Sequence, residues 1–135
     1  MPVRYTIDKE RRLILSTMSG VLTAEDIWGH QKALAKDPDF DGSLSQISDF
    51  TQVTKMELTE QDVQKFAEAS VFDHDARRAI IVKDRFSFGL ARMFEVLRGD
   101  KGDKGVVVFV DYDEGLKWIL SSQPRPRKKQ ATWGE

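Results

Sequence analysis

The sequence predicts one α/β domain built on a mixed sheet of about five strands, in the order β-β-α-β-α-β-α-β-α. Three observations carry this reading. The chain opens with two strand-like segments joined only by a charged turn, the pattern of an antiparallel hairpin. After the hairpin, apolar runs of strand length alternate with stretches of helical periodicity, the pattern of βα units with parallel strands. Two of the runs, residues 79–82 and 106–110, are apolar without alternation, as strands covered on both faces are. Both are expected at the centre of the sheet.

Each element has a local reason. Val3-Arg4-Tyr5-Thr6-Ile7 alternates apolar and polar residues, the period of a half-buried strand. Asp8 to Arg12 form the turn, and residues 13–18 form a second strand that Gly20 is expected to stop. Thr23 is a helix N-cap with Asp26 in the capping-box position. Ala24, Ile27, Trp28, Leu34 and Ala35 then fall on one helical face, interrupted by Gln31, and Asp37-Pro38 ends the helix. Residues 44–50 mark a third strand. Thr59 with Asp62 starts a second helix whose inner face is Val63, Phe66, Ala67, Ser70 and Val71. A third helix carries Phe86, Leu90, Met93, Phe94 and Leu97 and ends at Gly99. The repeated Gly-Asp-Lys of residues 99–105 reads as a flexible connector. Residues 112–120 form a last helix with Leu116, Ile119 and Leu120 inward.

Composition excludes several classes of function. The chain has 135 residues, 40% hydrophobic and 32% charged, an ordinary globular balance for one domain. A formal net charge of −1 removes the electrostatic argument for nucleic acid or an anionic membrane. The absence of cysteine excludes a disulfide scaffold, a thiol nucleophile and a zinc–thiolate or iron–sulfur site. No apolar run approaches the ~20 residues of a membrane span, and the N-terminus lacks a signal-peptide core, so a cytoplasmic location is expected. Residues 1–120 are expected to form the domain. Residues 121–135, with Arg125, Arg127, Lys128 and Lys129 against Glu135, are read as a disordered basic tail.

The ordered set of segments resembles the STAS superfamily (sulphate transporter and anti-sigma-factor antagonist domains), in its SpoIIAA-like branch. The resemblance covers about residues 3–120. It rests on the opening hairpin leading through Ser19-Gly20-Val21-Leu22-Thr23-Ala24-Glu25-Asp26 into the first helix, and on Gln46-Ile47-Ser48-Asp49-Phe50-Thr51. Arg78-Ala79-Ile80-Ile81-Val82, Phe88-Gly89-Leu90-Ala91-Arg92-Met93 and the Val108-Phe109 strand with its following helix complete it. The resemblance implies a STAS-like fold and a regulatory protein-interaction module without enzymatic activity. A small-ligand binder (apolar or anionic, since some relatives are likened to lipid-transfer folds) and a structural subunit of a larger complex are the alternatives. A protein partner is expected, with a homodimer left open.

In anti-sigma-factor antagonists a hydroxyl residue after the third strand is phosphorylated. The matching stretch here is Glu57-Leu58-Thr59-Glu60, so Thr59 is the candidate phosphoacceptor, with Thr51 and Thr54 as weaker ones. Residues 49–59, from Asp49 onward, are read as a loop forming the contact surface. As a plain cap Thr59 would contribute ~1 kcal/mol, and Glu57 and Glu60 would repel an added phosphate. A second candidate is the carboxyl edge of the parallel strands, where open α/β sheets bind ligands. It gathers Lys83, Arg85, Ser87 and Asp111, with Arg92 beside the apolar face of the third helix. Gly89 is read as a site of close helix–sheet packing, and His30 as a boundary residue. Asp73-His74-Asp75 is read as a charged loop rather than a metal site. No nucleophile elbow, phosphate loop or dinucleotide fingerprint is present, so no catalytic residue, metal or cofactor is expected.

Overall fold

The computed structural model describes residues 2–121, and the basic tail lies outside the described residues apart from Ser121. The elements are β1 (Val3–Asp8), β2 (Leu13–Thr23), α1 (Ala24–Lys36), β3 (Ser45–Glu57), α2 (Glu60–Glu68), β4 (Arg78–Ile81), α3 (Arg85–Asp100), β5 (Val106–Phe109) and α4 (Tyr112–Leu120). They form a five-stranded sheet in strictly sequential order, β1-β2-β3-β4-β5. β1 and β2 are the antiparallel hairpin, and the remaining neighbours are parallel. Successive right-handed crossovers that all step in one direction leave their helices on one face of a sheet. α1, α2 and α3 share a face here, and α4 covers the other.

Strand alternation divides the core in two. Leu13, Ile47, Ala79, Ile81 and Val107 pack against Trp118 and Ile119 of α4 in a mainly apolar layer. Gly115 lets α4 approach closely, since a Cβ there would lie 2.6 Å from Ile81 Cδ1. The intervening strand residues face α1–α3. There Ile14 packs with Leu34 and Leu44, and Met18 and Leu22 pack with Val53, but Ser16, Gln46, Ser48 and Arg78 are also buried on this side.

Several expectations are corrected. Gly20 does not stop β2. It adopts φ +66° at an irregularity in the pairing, and the strand continues to Thr23. β3 likewise runs to Glu57, so residues 49–57 are strand and not loop. Val53 and Met56 contribute apolar side chains that the Met18–Leu22 end of β2 can bury. β5 is an edge strand rather than a central one. Its apolar run reflects cover on both faces, with Val106 and Val107 buried, and says nothing about lateral position. α2 ends at Glu68, which leaves Ser70 and Val71 in the following connection. Ala35, Phe86 and Leu120 are exposed, and Trp118 is the inward aromatic of α4. Gly89 packs against nothing: a Cβ there meets no atom within 4 Å among the described residues.

The Gly-Asp-Lys connector is also anchored rather than flexible. Asp100 is exposed, but Asp103 is 1% exposed. Its carboxylate accepts from Arg78 Nη2 at the start of β4, from Arg98 Nε at 2.9 Å and from the Gly105 backbone N–H at 3.1 Å. Arg98 Nη1 reaches Ala67 O at the end of α2, 2.8 Å away. Burial pushes the Asp103 carboxyl up, but the hydrogen bond and charge of Arg78, with the Gly105 N–H and Arg98, outweigh this and hold it below its ordinary value.

The two glycines at these places should respond oppositely to alanine. A Cβ on Gly105 would lie 2.0 Å from Ala76 O and 2.6 Å from Arg78 Nη2, both held by the anchor. Gly105→Ala is expected to lower stability by about 3 kcal/mol, the upper range of overpacking costs. Gly89→Ala, on an open face of α3, should raise it by ~0.5–1 kcal/mol. Urea unfolding of both variants checks the pair.

Candidate functional site

A cavity of about 170 Å³ lies between the sheet and α1, α2 and α3. Its walls are mainly apolar. Ile27 and Leu34 of α1, Val63 and Phe66 of α2, and Leu90 and Phe94 of α3 face it, and Met18, Phe50 and Val82 rise from the strands. The connection after α2 closes one side through Val71 and Phe72, and Met56 and Leu58 close the far end of β3.

The sheet beneath the cavity is polar. Registers β2–β3 and β3–β4 set Ile14, Gln46 and Arg78 side by side in one row and Ser16, Ser48 and Ile80 in the next. Gln46 Nε2 donates to Ser16 Oγ at 3.1 Å and approaches His30 Nε2 at 3.4 Å. Ser16 Oγ is 2.9 Å from the same nitrogen. The second ring nitrogen of His30, Nδ1, meets neither of these groups. That buried Nδ1 has no hydrogen-bond partner among the described residues. Burial pushes the His30 pKa down to about 4, so the ring is neutral near pH 7. His30 is half-buried, as a boundary residue is, and lines the cavity wall together with Gln31 beside it.

Of the candidate residues read from the sequence, Ser87 alone reaches the cavity wall. It is 3% exposed, and its backbone N–H and hydroxyl both donate to Asp84, the N-cap of α3. Lys83 and Arg85 are exposed beside that cap. Asp111 N-caps α4, accepting from Asp113 and Glu114 N–H groups at 2.8 and 3.2 Å. The carboxyl edge is thus occupied largely by helix capping. Arg92 pairs with Glu95 at 2.9 Å and remains partly exposed. Asp49 accepts from the Thr51 N–H and hydroxyl within β3, and Thr54 is exposed on the same strand. Thr59 caps α2 in a complete capping box with Asp62. Among the described residues no group of three acidic or histidine side chains could hold a metal ion, which leaves Asp73-His74-Asp75 a loop.

The polar residues at the cavity that sequence reasoning did not single out as a site are His30, Gln46, Ser48 and Arg78, with Ser16 bonded to the first two beneath them. Each left a trace. Three are polar residues on the even-numbered side of otherwise apolar strands, Arg78 opens an apolar run, and Gln31 interrupts the helical stripe beside His30. What links them is the strand register, which the sequence does not display.

Two outcomes follow from this geometry. Unfolded, the His30 imidazole titrates near 6.5, and folded near 4. Between these values the unfolded chain binds more protons, so stability should fall as pH drops from 6.5 towards 4. The loss should be at most about 3 kcal/mol, reduced by the partial exposure of the ring. Denaturant unfolding across this range should show the slope in the wild type and not in His30→Gln. Separately, Thr59→Ala should cost ~0.5–2 kcal/mol through the lost cap, while Thr59→Ser leaves stability nearly unchanged.

No protein-family model and no curated protein matches the chain. Among solved structures it is similar to an uncharacterized protein of the DUF3478 family, with a SpoIIAA-like fold, from Shewanella loihica PV-4. The identity is 20%, the match covers 87% of this chain and 93% of that one, and the TM-score is 0.50. The sheet order, the four helices and this match together bear out the sequence resemblance at the level of architecture: the chain has a SpoIIAA-like α/β fold.

Proposed function

We propose that the protein is a non-enzymatic binding module that holds a small apolar or amphipathic molecule between its sheet and α1–α3. The observation that carries this reading is the cavity, at about 170 Å³. Its volume is comparable to the roughly 150 Å³ of an apolar cavity that takes up benzene. Apolar walls with a few convergent polar groups are the usual composition of a small-molecule site. The regulatory protein-interaction reading has less support from the geometry. Residues 49–57 belong to a paired strand, and the Thr59 hydroxyl is engaged in capping. One observation still favours a protein partner as a second reading. Beyond Asp49, β3 pairs only with β2 among the described residues, so its other edge is open to strand addition.

Titration with 1-octanol, followed by calorimetry and thermal unfolding, tests the cavity. The wild type should release or absorb binding heat and gain a concentration-dependent rise in Tm. Ala91→Phe, which fills the α3 wall, should retain its circular dichroism spectrum and lose both signals. Absence of binding by the wild type, or binding unchanged in Ala91→Phe, overturns the proposal.

A further inference from the structure

We infer that the ligand of this cavity is a monoanionic amphiphile, a short-chain or single-ring carboxylate whose head lies on Arg78 and Ser48; the inference rests on the binding function proposed above. Arg78 lines the cavity, yet its side chain is only 6% exposed. Its Nε donates to Ala76 O at 3.0 Å, and its Nη2 is shared between Asp73 O and Asp103. Nη1 meets no acceptor among the described residues. Phe72 holds the guanidinium plane in place, with its ring centroid 5.3 Å from Cζ.

The charge count around this group favours an anion. Arg78 and Arg98 share the single carboxylate of Asp103, and all three side chains are buried. Glu95, also buried, is paired with Arg92 and is not part of the cavity wall. At the anchor itself, two guanidiniums face one carboxylate. A buried positive charge in excess is costly unless paired and hydrogen-bonded, and a carboxylate is the best partner for an arginine edge. Asp103 does not oppose it strongly, because its oxygens are directed to the two arginines and the Gly105 N–H.

Ser48 supplies the second donor. It lies beside Gln46 on β3, diagonal to Arg78 in the β3–β4 register. It is 8% exposed and lines the cavity. One guanidinium edge and one hydroxyl match a carboxylate. A dianionic phosphate would need more positive charge than this floor offers. The volume limits the remainder of the ligand to roughly one aromatic ring or a short alkyl chain.

Calorimetric titration at neutral pH with octanoate, 1-octanol and octylamine tests the assignment. These differ in the charge of the head and share the chain. Octanoate should bind about tenfold tighter than 1-octanol or more, and octylammonium should bind more weakly than the alcohol. Ser48→Ala and Arg78→Lys should each weaken octanoate severalfold and weaken 1-octanol less. The serine variant removes no contact of the Asp103 anchor, so it remains informative if the arginine variant does not fold. Equal or tighter binding of 1-octanol, or preference for octylamine, overturns the carboxylate assignment while the binding cavity stands. An octanoate affinity unchanged in Ser48→Ala and in any folded Arg78→Lys also overturns it. Absence of binding by all three compounds overturns the cavity function as well.

Discussion

The buried arrangement of Arg78, Asp103 and Arg98 is the constraint on which the rest of the molecule is set. It joins four pieces of chain at one end of the sheet. These are the first residue of β4, the last turn of α3, the connection into β5 and, through Ala67 O, the end of α2. Removing one partner from such a group typically costs ~3–5 kcal/mol, because the others remain buried and charged. The anchor also explains the local sequence. Gly105 is required where the Ala76 carbonyl and the Arg78 guanidinium leave no space for a Cβ. The second Gly-Asp-Lys copy is thereby distinguished from the first: Asp103 is part of the core, and Asp100 is in solvent.

The same anchor gives the two faces of the sheet different work. On the α4 side the strands present Leu13, Ile47, Ala79, Ile81 and Val107 to Trp118 and Ile119, a mainly apolar layer. On the other side Arg78 is fixed by the anchor, and Gln46 and Ser16 are tied to His30 of α1. Three helices lean over this polar strip and do not fill the space above it. Arginine at the start of β4 thus stabilises the fold and also places a cationic edge under an apolar cavity. The SpoIIAA-like architecture provides the sheet and the helices, and the buried polar side chains are gathered on the α1–α3 face.

Much of the fold was legible because local signals and tertiary packing agree. Thr23 and Thr59 cap helices as their spacing indicates, and the capping box fixes both starts. The hairpin, the alternation of βα units and the span of α4 follow from periodicity and turn residues. Other features depend on contacts between distant segments. The far halves of β2 and β3 are strands because each pairs with the other; neither Gly20 nor Thr54 suggests this alone. β5 reads as a central strand since an apolar run reports cover above and below, which α3 and α4 provide even at an edge. The site was least legible. Asp111, after the last strand, looked like a ligand group, and Asp49 the start of a contact loop, but both satisfy nearby backbone N–H groups. Arg78 and His30 looked ordinary and became central through register and burial.

The sequential strand order also bears on how the molecule is made. Every strand is hydrogen-bonded to the one preceding it in the chain. No sheet contact therefore has to wait for a segment more than one crossover away, which keeps the entropy of loop closure low and favours quick assembly. A growing chain can add strands in the order of their synthesis, each docking on an edge already formed. The exception is the carboxylate of Asp103. Arg78 and Arg98 both precede it, and until it emerges they remain two cations without their anion. The anchor can be completed only with the connection into the final strand, after every other strand has been made.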